Sequence, residues 1–311
     1  MSKAAKVAYV FPGQGSQYVG MGRDLCDNFA SARAVFTEAD EVLGFPLSKL
    51  CFEGPEEELR LTVNAQPALV AHSLACLAAV KEATGDKILP PPAFMAGHSL
   101  GEYTALVVAN VLDSMHIIYI ARERGRMMQN AGERTPGSMV AIIGLDEAVV
   151  AEICEVTDTQ IANYNCPGQY VVSGAKDKVD QAAEMAKAKG GRALPLQVSG
   201  AFHSRLMQSA ADGMSQLVGM LTLQDPAVPI IANTSAQPLT TGEQIKVELV
   251  RQLCNGVQWQ RSIEYMINNG VTTFIEIGAG KVLTGLIKRI DKKIETLNIG
   301  DVEAIKKLTV S

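Results

Sequence analysis

The sequence is short of the residues that build metal and disulfide frameworks. Its six cysteines (Cys26, Cys51, Cys76, Cys154, Cys166 and Cys254) include no C-x-x-C pair, and zinc sites and disulfide scaffolds both depend on close, repeated cysteine spacing. Most of them lie in apolar runs and read as small buried hydrophobes. Only four histidines are present, His72, His98, His116 and His203, and no two share a helical metal-site spacing with a nearby acid. A catalytic metal is not expected. Also missing is any run of 18 or more uncharged apolar residues, and the opening MSKAAKVAYVF leads straight into a strand pattern. Neither a membrane-spanning helix nor a cleaved leader is expected, which points to a cytoplasmic protein. Positive charge is not in excess: 28 basic against 33 acidic residues leave a net charge of −5. A general attraction to nucleic acid or an anionic membrane is therefore not expected.

What is present is an ordinary globular composition, 47% hydrophobic and 20% charged, which excludes a disordered chain. At 311 residues the chain has room for roughly two folding units of about 150 residues, or one core with an insertion. Short apolar strands are predicted at 7–11, 93–96, 230–232, 273–277 and 296–299. Between them lie helical patterns at 67–84, with Pro67 in the first turn, and at 102–109. That alternation argues for a parallel sheet covered on both faces. From 138 to 199 the order changes to strand (139–143), helix (147–156), strand (160–163), strand (170–173), helix (176–189), strand (193–198). This is the split β-α-β-β-α-β pattern of a ferredoxin-like subdomain. The expected organisation is α/β: a large domain of residues 1–137 and 200–311, with 138–199 inserted. No repeat or low-complexity segment interrupts it.

The strongest chemical signal is Gly97-His98-Ser99-Leu100-Gly101, set between a predicted strand and a predicted helix. A sharp turn there presents the serine hydroxyl at the carboxyl edge of the sheet, and glycines on both flanks relieve crowding. The helix start aims backbone N–H groups at the same spot, where an oxyanion could form. A serine needs a base. His98 is adjacent and points away, His72 lies in an apolar helix, and His116 has no special context. His203 sits where the insertion returns to the main domain, at a seam of the kind that forms clefts, and is the best candidate. Phe11-Pro12-Gly13-Gln14-Gly15-Ser16-Gln17 fails the dinucleotide fingerprint, because Tyr18 stands where the third glycine belongs, and fails the phosphate-loop pattern for want of a lysine. It can still supply backbone N–H groups to a cleft. In Arg122-Glu123-Arg124-Gly125-Arg126, a basic solvated face accounts for Arg122 and Arg126. An arginine turned inward would offer a fork for a carboxylate.

Together these stretches resemble the malonyl-CoA:acyl carrier protein transacylases, including the acyltransferase domains of polyketide and fatty acid synthases. Gln66-Pro67, the serine motif extended to Glu102-Tyr103, Arg124–Gln129, Asn163–Gln169, Gly200–Ser204 and Glu276–Gly280 fall in family order and span nearly the whole chain. The resemblance implies a hydrolase-like core with a ferredoxin-like insertion. It implies Ser99 as nucleophile, His203 as general base and acid, and the backbone N–H groups of Gln14 and Leu100 as oxyanion hole. It also implies that Arg124 clamps the malonyl carboxylate, that Phe202 excludes branched acyl groups, and that a backbone carbonyl near Gln258, helped by Asn165, orients His203. The implied reaction moves malonyl from malonyl-CoA to the phosphopantetheine thiol of acyl carrier protein, with no cofactor, in a monomer that serves fatty acid synthesis. Three alternatives remain at this point: service to a polyketide synthase, a serine esterase or thioesterase with an acid such as Asp146, Asp158 or Asp177, and a non-catalytic carrier-protein partner. The basic run Lys281, Lys288, Arg289, Lys292 and Lys293 reads as a solvated helix face that an acidic carrier could also meet.

Overall fold

The computed structural model describes residues 6–85 and 89–310, so Met1–Ala5, on which the expectation of an absent leader partly rests, lie outside the described residues. Among the described residues ten strands form two sheets. The larger contains β1 (Lys6–Phe11), β2 (Phe94–Gly97), β7 (Ile230–Ile231), β8 (Pro238–Leu239), β9 (Val271–Ile277) and β10 (Glu295–Ile299), in the order β10-β9-β1-β2-β7-β8. All neighbours pair in parallel except β7 and β8. Alternate residues of β1 belong to two cores: Val7, Tyr9 and Phe11 to one, Ala8 and Val10 to the other. A strand buried on both faces reads as a continuous apolar run, as VAYVF does.

Residues 137–195 form a separate four-stranded antiparallel sheet. Its strands are β3 (Gly137–Ile143), β4 (Gln160–Cys166), β5 (Gln169–Ala175) and β6 (Arg192–Pro195), ordered β4-β5-β3-β6. Helices Glu147–Thr157 and Lys176–Ala188 cover one face and share a core with Val140, Ile142 and Val172. Met139, Ala141 and Val171 point the other way, into the main core. The chain therefore folds as an α/β body with a parallel sheet flanked by helices and a ferredoxin-like antiparallel subdomain. Backbone hydrogen bonds from Tyr164 N–H to Val257 O and from Val257 N–H to Ala162 O, each 2.9 Å, bond the edge of β4 to the large body.

Two local expectations change. The strand expected to reach Val198 ends at Pro195, and Leu196–Val198 instead line a cavity between the two sheets. Pro67 is not in the first turn: its helix begins at Thr62 and runs to Thr84. Proline cannot donate to the carbonyl four residues back, and the freed carbonyl of Val63 lies 3.5 Å from Arg122 Nη1. The same helix is long and apolar enough to cross a membrane, yet 83% of its apolar window is buried within the fold.

The strands at the centre also fix where chemistry can occur. Phe11 pairs with Gly97, so the loop after β1 and the turn after β2 leave the sheet side by side, at the carboxyl edge where open α/β sheets bind ligands. The approach leaves no space for side chains. A Cβ at Gly97 would lie 1.8 Å from the carbonyl carbon of Gly101, and one at Gly101 would lie 2.1 Å from the carbonyl oxygen of Phe11. Backbone cannot swing aside as a side-chain tip can, so Gly97→Ala is expected to cost about 3 kcal/mol or more. The check is the urea midpoint, and a variant that unfolds within 0.5 kcal/mol of the parent, roughly the spread of neutral surface changes, would contradict the steric account.

Candidate active site

Ser99 occupies the sharp turn between β2 and helix Gly101–Val108 with φ of 51°, a left-handed conformation that costs a non-glycine residue energy. Buried Asn233 holds it there. The Asn233 side chain accepts from Ser99 N–H at 2.7 Å through Oδ1 and donates to Gly97 O at 2.7 Å through Nδ2. Leu100 follows directly at the helix start. Beside the turn, Gln14 lines the cavity, and its side chain donates to Thr62 Oγ1 at 3.1 Å. Thr62 Oγ1 in turn lies 2.9 Å from Ser199 Oγ, so the loop after β1, the long helix and the returning chain meet at one hydroxyl.

His203 comes in from the seam, also at positive φ, 55°. Its Nε2 lies 2.8 Å from Ser99 Oγ, and its Nδ1 lies 2.7 Å from the backbone carbonyl of Gln252. Because a carbonyl only accepts, Nδ1 carries the proton and Nε2 is left as acceptor for the serine hydroxyl. Burial pushes the His203 pKa down to about 3, and the charge of Arg124 adds to the shift, against the carbonyl of Gln252. The imidazole is therefore neutral and able to take a proton. Arg124 is buried as deeply. It donates from Nη1 to Gln66 Oε1 at 2.8 Å, and from Nη2 to Gln252 Oε1 at 2.8 Å and Ser99 Oγ at 3.2 Å. Its guanidinium lies 5.2 Å from the Tyr103 ring centre. Among the described residues no carboxylate forms an ion pair with it, and its Nε has no hydrogen-bond partner. Desolvation lowers its pKa from the ordinary arginine value. These groups open on a cavity of about 360 Å³ lined also by Phe202, Met128, Met139 and Val198.

A serine–imidazole pair beside a buried, unneutralised guanidinium suits acyl transfer from an ester or thioester that carries an acid group. Residues 8–307 match the acyl transferase domain family. The chain belongs to that family. It is 45% identical over 308 residues to the malonyl CoA-acyl carrier protein transacylase of Bacillus subtilis, covering 97% of this chain and 96% of the relative. It superposes on the acyl-carrier-protein-S-malonyltransferase of Bartonella henselae with a TM-score of 0.93 at 45% identity, over 98% and 99% of the two chains. A malonyl-transacylase solved in complex with a type II PKS acyl-carrier protein superposes equally well, TM-score 0.93 at 40% identity, over 98% and 99%. The protein is thus an acyltransferase enzyme.

Several expectations about this acyltransferase site need correction. The carbonyl that meets His203 belongs to Gln252, not to Gln258. The Gln258 carbonyl instead accepts from Ser262 N–H at 2.9 Å and Ser262 Oγ at 3.0 Å at the start of helix Trp259–Asn268. Asn165 does not support His203; its Oδ1 lies 2.9 Å from Nε2 of His98, whose ring packs 5.5 Å from that of Trp259. Of the flanking arginines, Arg126 pairs on the surface with Glu123 as a solvated face should. Arg122 does not: it stacks 4.0 Å over Phe45 and donates to Asn64. The acids a hydrolase triad would have used lie elsewhere: Asp158 paired with Arg205, Asp146 just before helix Glu147–Thr157 with no side-chain bond to it, and Asp177 in the first turn of helix Lys176–Ala188. Sequence reasoning missed Gln252, Asn233 and Glu102 as structural members of the site. Glu102 alone had a visible signal, a charge inside the apolar helix GEYTALVV.

The neutral state of His203 sets a pH dependence. A histidine in the unfolded chain titrates near 6.5, whereas folded His203 binds its proton only near 3. The unfolded state therefore binds more protons between these values. The stabilisation is complete above about 6.5 and is lost as pH falls toward the folded value, with a slope of up to about 1.4 kcal/mol per pH unit. His72, pushed by burial to about 4, acts in the same direction. Urea melts from pH 7 to 4 are expected to show falling stability, with a shallower fall in His203→Asn; an unaltered slope in that variant would refute the assignment.

Proposed function

We propose that this acyltransferase carries malonyl from malonyl-CoA to the phosphopantetheine thiol of an acyl carrier protein through a malonyl ester on Ser99. The observation that carries the reading is the 3.2 Å between Arg124 Nη2 and Ser99 Oγ. A carboxylate on the guanidinium fork and a carbonyl carbon at the serine oxygen are then one short spacer apart, which suits a malonyl group and strands a longer diacid. The transacylase names of the relatives support the same substrates.

In the first half-reaction Ser99 Oγ attacks the thioester carbonyl as its proton passes to His203 Nε2, while Nδ1–H stays on the Gln252 carbonyl and stabilises the imidazolium. The backbone N–H groups of Gln14 and Leu100 receive the oxyanion, each worth about 3–4 kcal/mol in comparable sites. Collapse breaks the C–S bond, and CoA leaves as a thiol with the proton from His203. In the second half-reaction the carrier thiol gives its proton to His203 and attacks the ester, and Ser99 departs as the hydroxyl. No cofactor enters either step. Phe202, buried on the cavity wall, is the residue we assign to exclusion of a branch at the acyl α-carbon.

We further propose domain limits at 137/138 and 199/200, a monomer acting in the cytoplasm, and fatty acid synthesis as the pathway. A carrier protein has its own evidence in the solved complex of a related malonyl-transacylase. The basic run makes a weaker docking surface than its charge suggests, since Lys288 Nζ donates to Ile294 O at 2.5 Å and Arg289 donates to Gln169 at the start of β5.

Intact-mass analysis after brief mixing with malonyl-CoA is expected to show one added malonyl group on the parent and none on Ser99→Ala; labelling that persists in the variant would remove Ser99 from the chemistry. Arg124→Ala is expected to lower kcat/KM for malonyl-CoA by about 100-fold or more, as expected for a carboxylate left unpaired in a dry cleft. Acetyl-CoA, which has no carboxylate, should lose far less. Equal losses for the two donors in steady-state assays would take Arg124 out of the acyl site.

A further inference from the structure

The base and the carboxylate clamp are held by the same residue. Gln252 uses its backbone carbonyl for His203 Nδ1 and its side-chain carbonyl for Arg124 Nη2, and its side-chain NH2 donates to Ser99 O at 3.1 Å and to Glu102 Oε2. Which end of that amide faces Arg124 is not set by Gln252. An amide can present either its oxygen or its nitrogen, and only the oxygen can accept from a guanidinium. The choice is made on the far side, where two acceptors, the Ser99 carbonyl and Glu102 Oε2, draw the NH2 away from Arg124. Glu102 has no solvent exposure. Its other oxygen accepts from Asn233 N–H at 3.0 Å and Asn233 Nδ2 at 3.1 Å, the same asparagine that clamps the Ser99 turn.

We propose that Glu102 is a positioning residue for acyl selection: its carboxyl fixes the Gln252 amide with oxygen toward Arg124, and so keeps the guanidinium aimed at the acyl carboxylate without neutralising it. The inference rests on the proposed malonyl transfer. It adds a residue that touches neither substrate nor reacting atoms. A carboxylate placed directly on Arg124 would hold it as firmly but cancel the charge the substrate needs. A chain of Glu102, Gln252 and Arg124 keeps the carboxyl group one amide away.

Glu102→Gln tests this with almost no change of shape. The new side chain has one acceptor, and the two donors of Asn233 claim it, which leaves NH2 against NH2 at Gln252. The Gln252 amide cannot turn over without setting its oxygen against the Ser99 carbonyl and its nitrogen against Arg124, so repulsion from the substituted NH2 instead pushes it out of line with Arg124 Nη2. The backbone carbonyl under His203 is unaffected by that shift. The ratio of kcat/KM for malonyl-CoA over acetyl-CoA is therefore expected to fall by at least about tenfold, the worth of one hydrogen bond to a charged group. A smaller change in the ratio, including equal losses for both donors, overturns the proposal, since a purely structural carboxylate would slow both alike. Should Glu102→Gln not fold, as judged by its thermal transition, Gln252→Met decides by the same ratio and threshold. It removes the side-chain acceptor but leaves the backbone carbonyl. A parent enzyme that forms no malonyl ester overturns both readings, whereas a parent that does so beside variants of unchanged ratio overturns only the role of Glu102.

Discussion

A guanidinium buried without a counter-ion is the constraint around which this site is arranged. Removing a charge from water costs several kcal/mol even after the protein relaxes, and the usual remedy is a carboxylate in contact. Arg124 has neutral acceptors instead, the side-chain oxygens of Gln66 and Gln252 and the hydroxyl of Ser99. They take three hydrogen bonds from it without cancelling its charge, and its Nε has no partner among the described residues. The remaining attraction is available to an acid group that enters the cavity, so a cost in folding becomes a preference in binding. Burial, with the same charge added to it, depresses the His203 pKa, keeping the imidazole neutral.

That arrangement has to be maintained against strain. Ser99 and His203 both sit at positive φ, and each is held by groups remote in sequence: Asn233 at the turn, the Gln252 carbonyl at the imidazole. Glu102 joins the two supports. Burial and the proximity of Glu248 raise the Glu102 pKa well above the usual carboxylate range, while the N–H donors of Asn233 and Gln252 pull it back. Glu248 itself is tied to Thr234 N–H at 2.8 Å. A polar network this deep is stable only when its donors and acceptors are matched, which makes its members sensitive to isosteric change.

Much of this was legible in the chain. Alternating apolar strands and helices announced the doubly covered sheet, and the order of elements from Gly137 to Pro195 announced the ferredoxin-like unit. The two glycines around Ser99 were readable as a steric requirement, and the 1.8 and 2.1 Å approaches of their notional Cβ atoms give the reason. His203 stood out because it falls where the insertion rejoins the body. The errors lie where partners are distant. Asn165 and Gln258 are polar residues in stretches shared with the family, but their polar atoms serve His98 and Ser262. Gln252 ends an unremarkable helical stretch, with nothing local to separate it from any surface glutamine.

Local sequence determined the elements, the serine turn and the residue types the chemistry requires, because periodicity, glycine sterics and nucleophile–base pairing all act over a few residues or follow from side-chain chemistry. Tertiary structure alone decided which carbonyl meets His203, which amides hold Arg124, and how far the guanidinium lies from the serine oxygen. Those are distances between elements far apart in the chain, and a difference of one hydrogen-bond length at that range is fixed by packing across the seam.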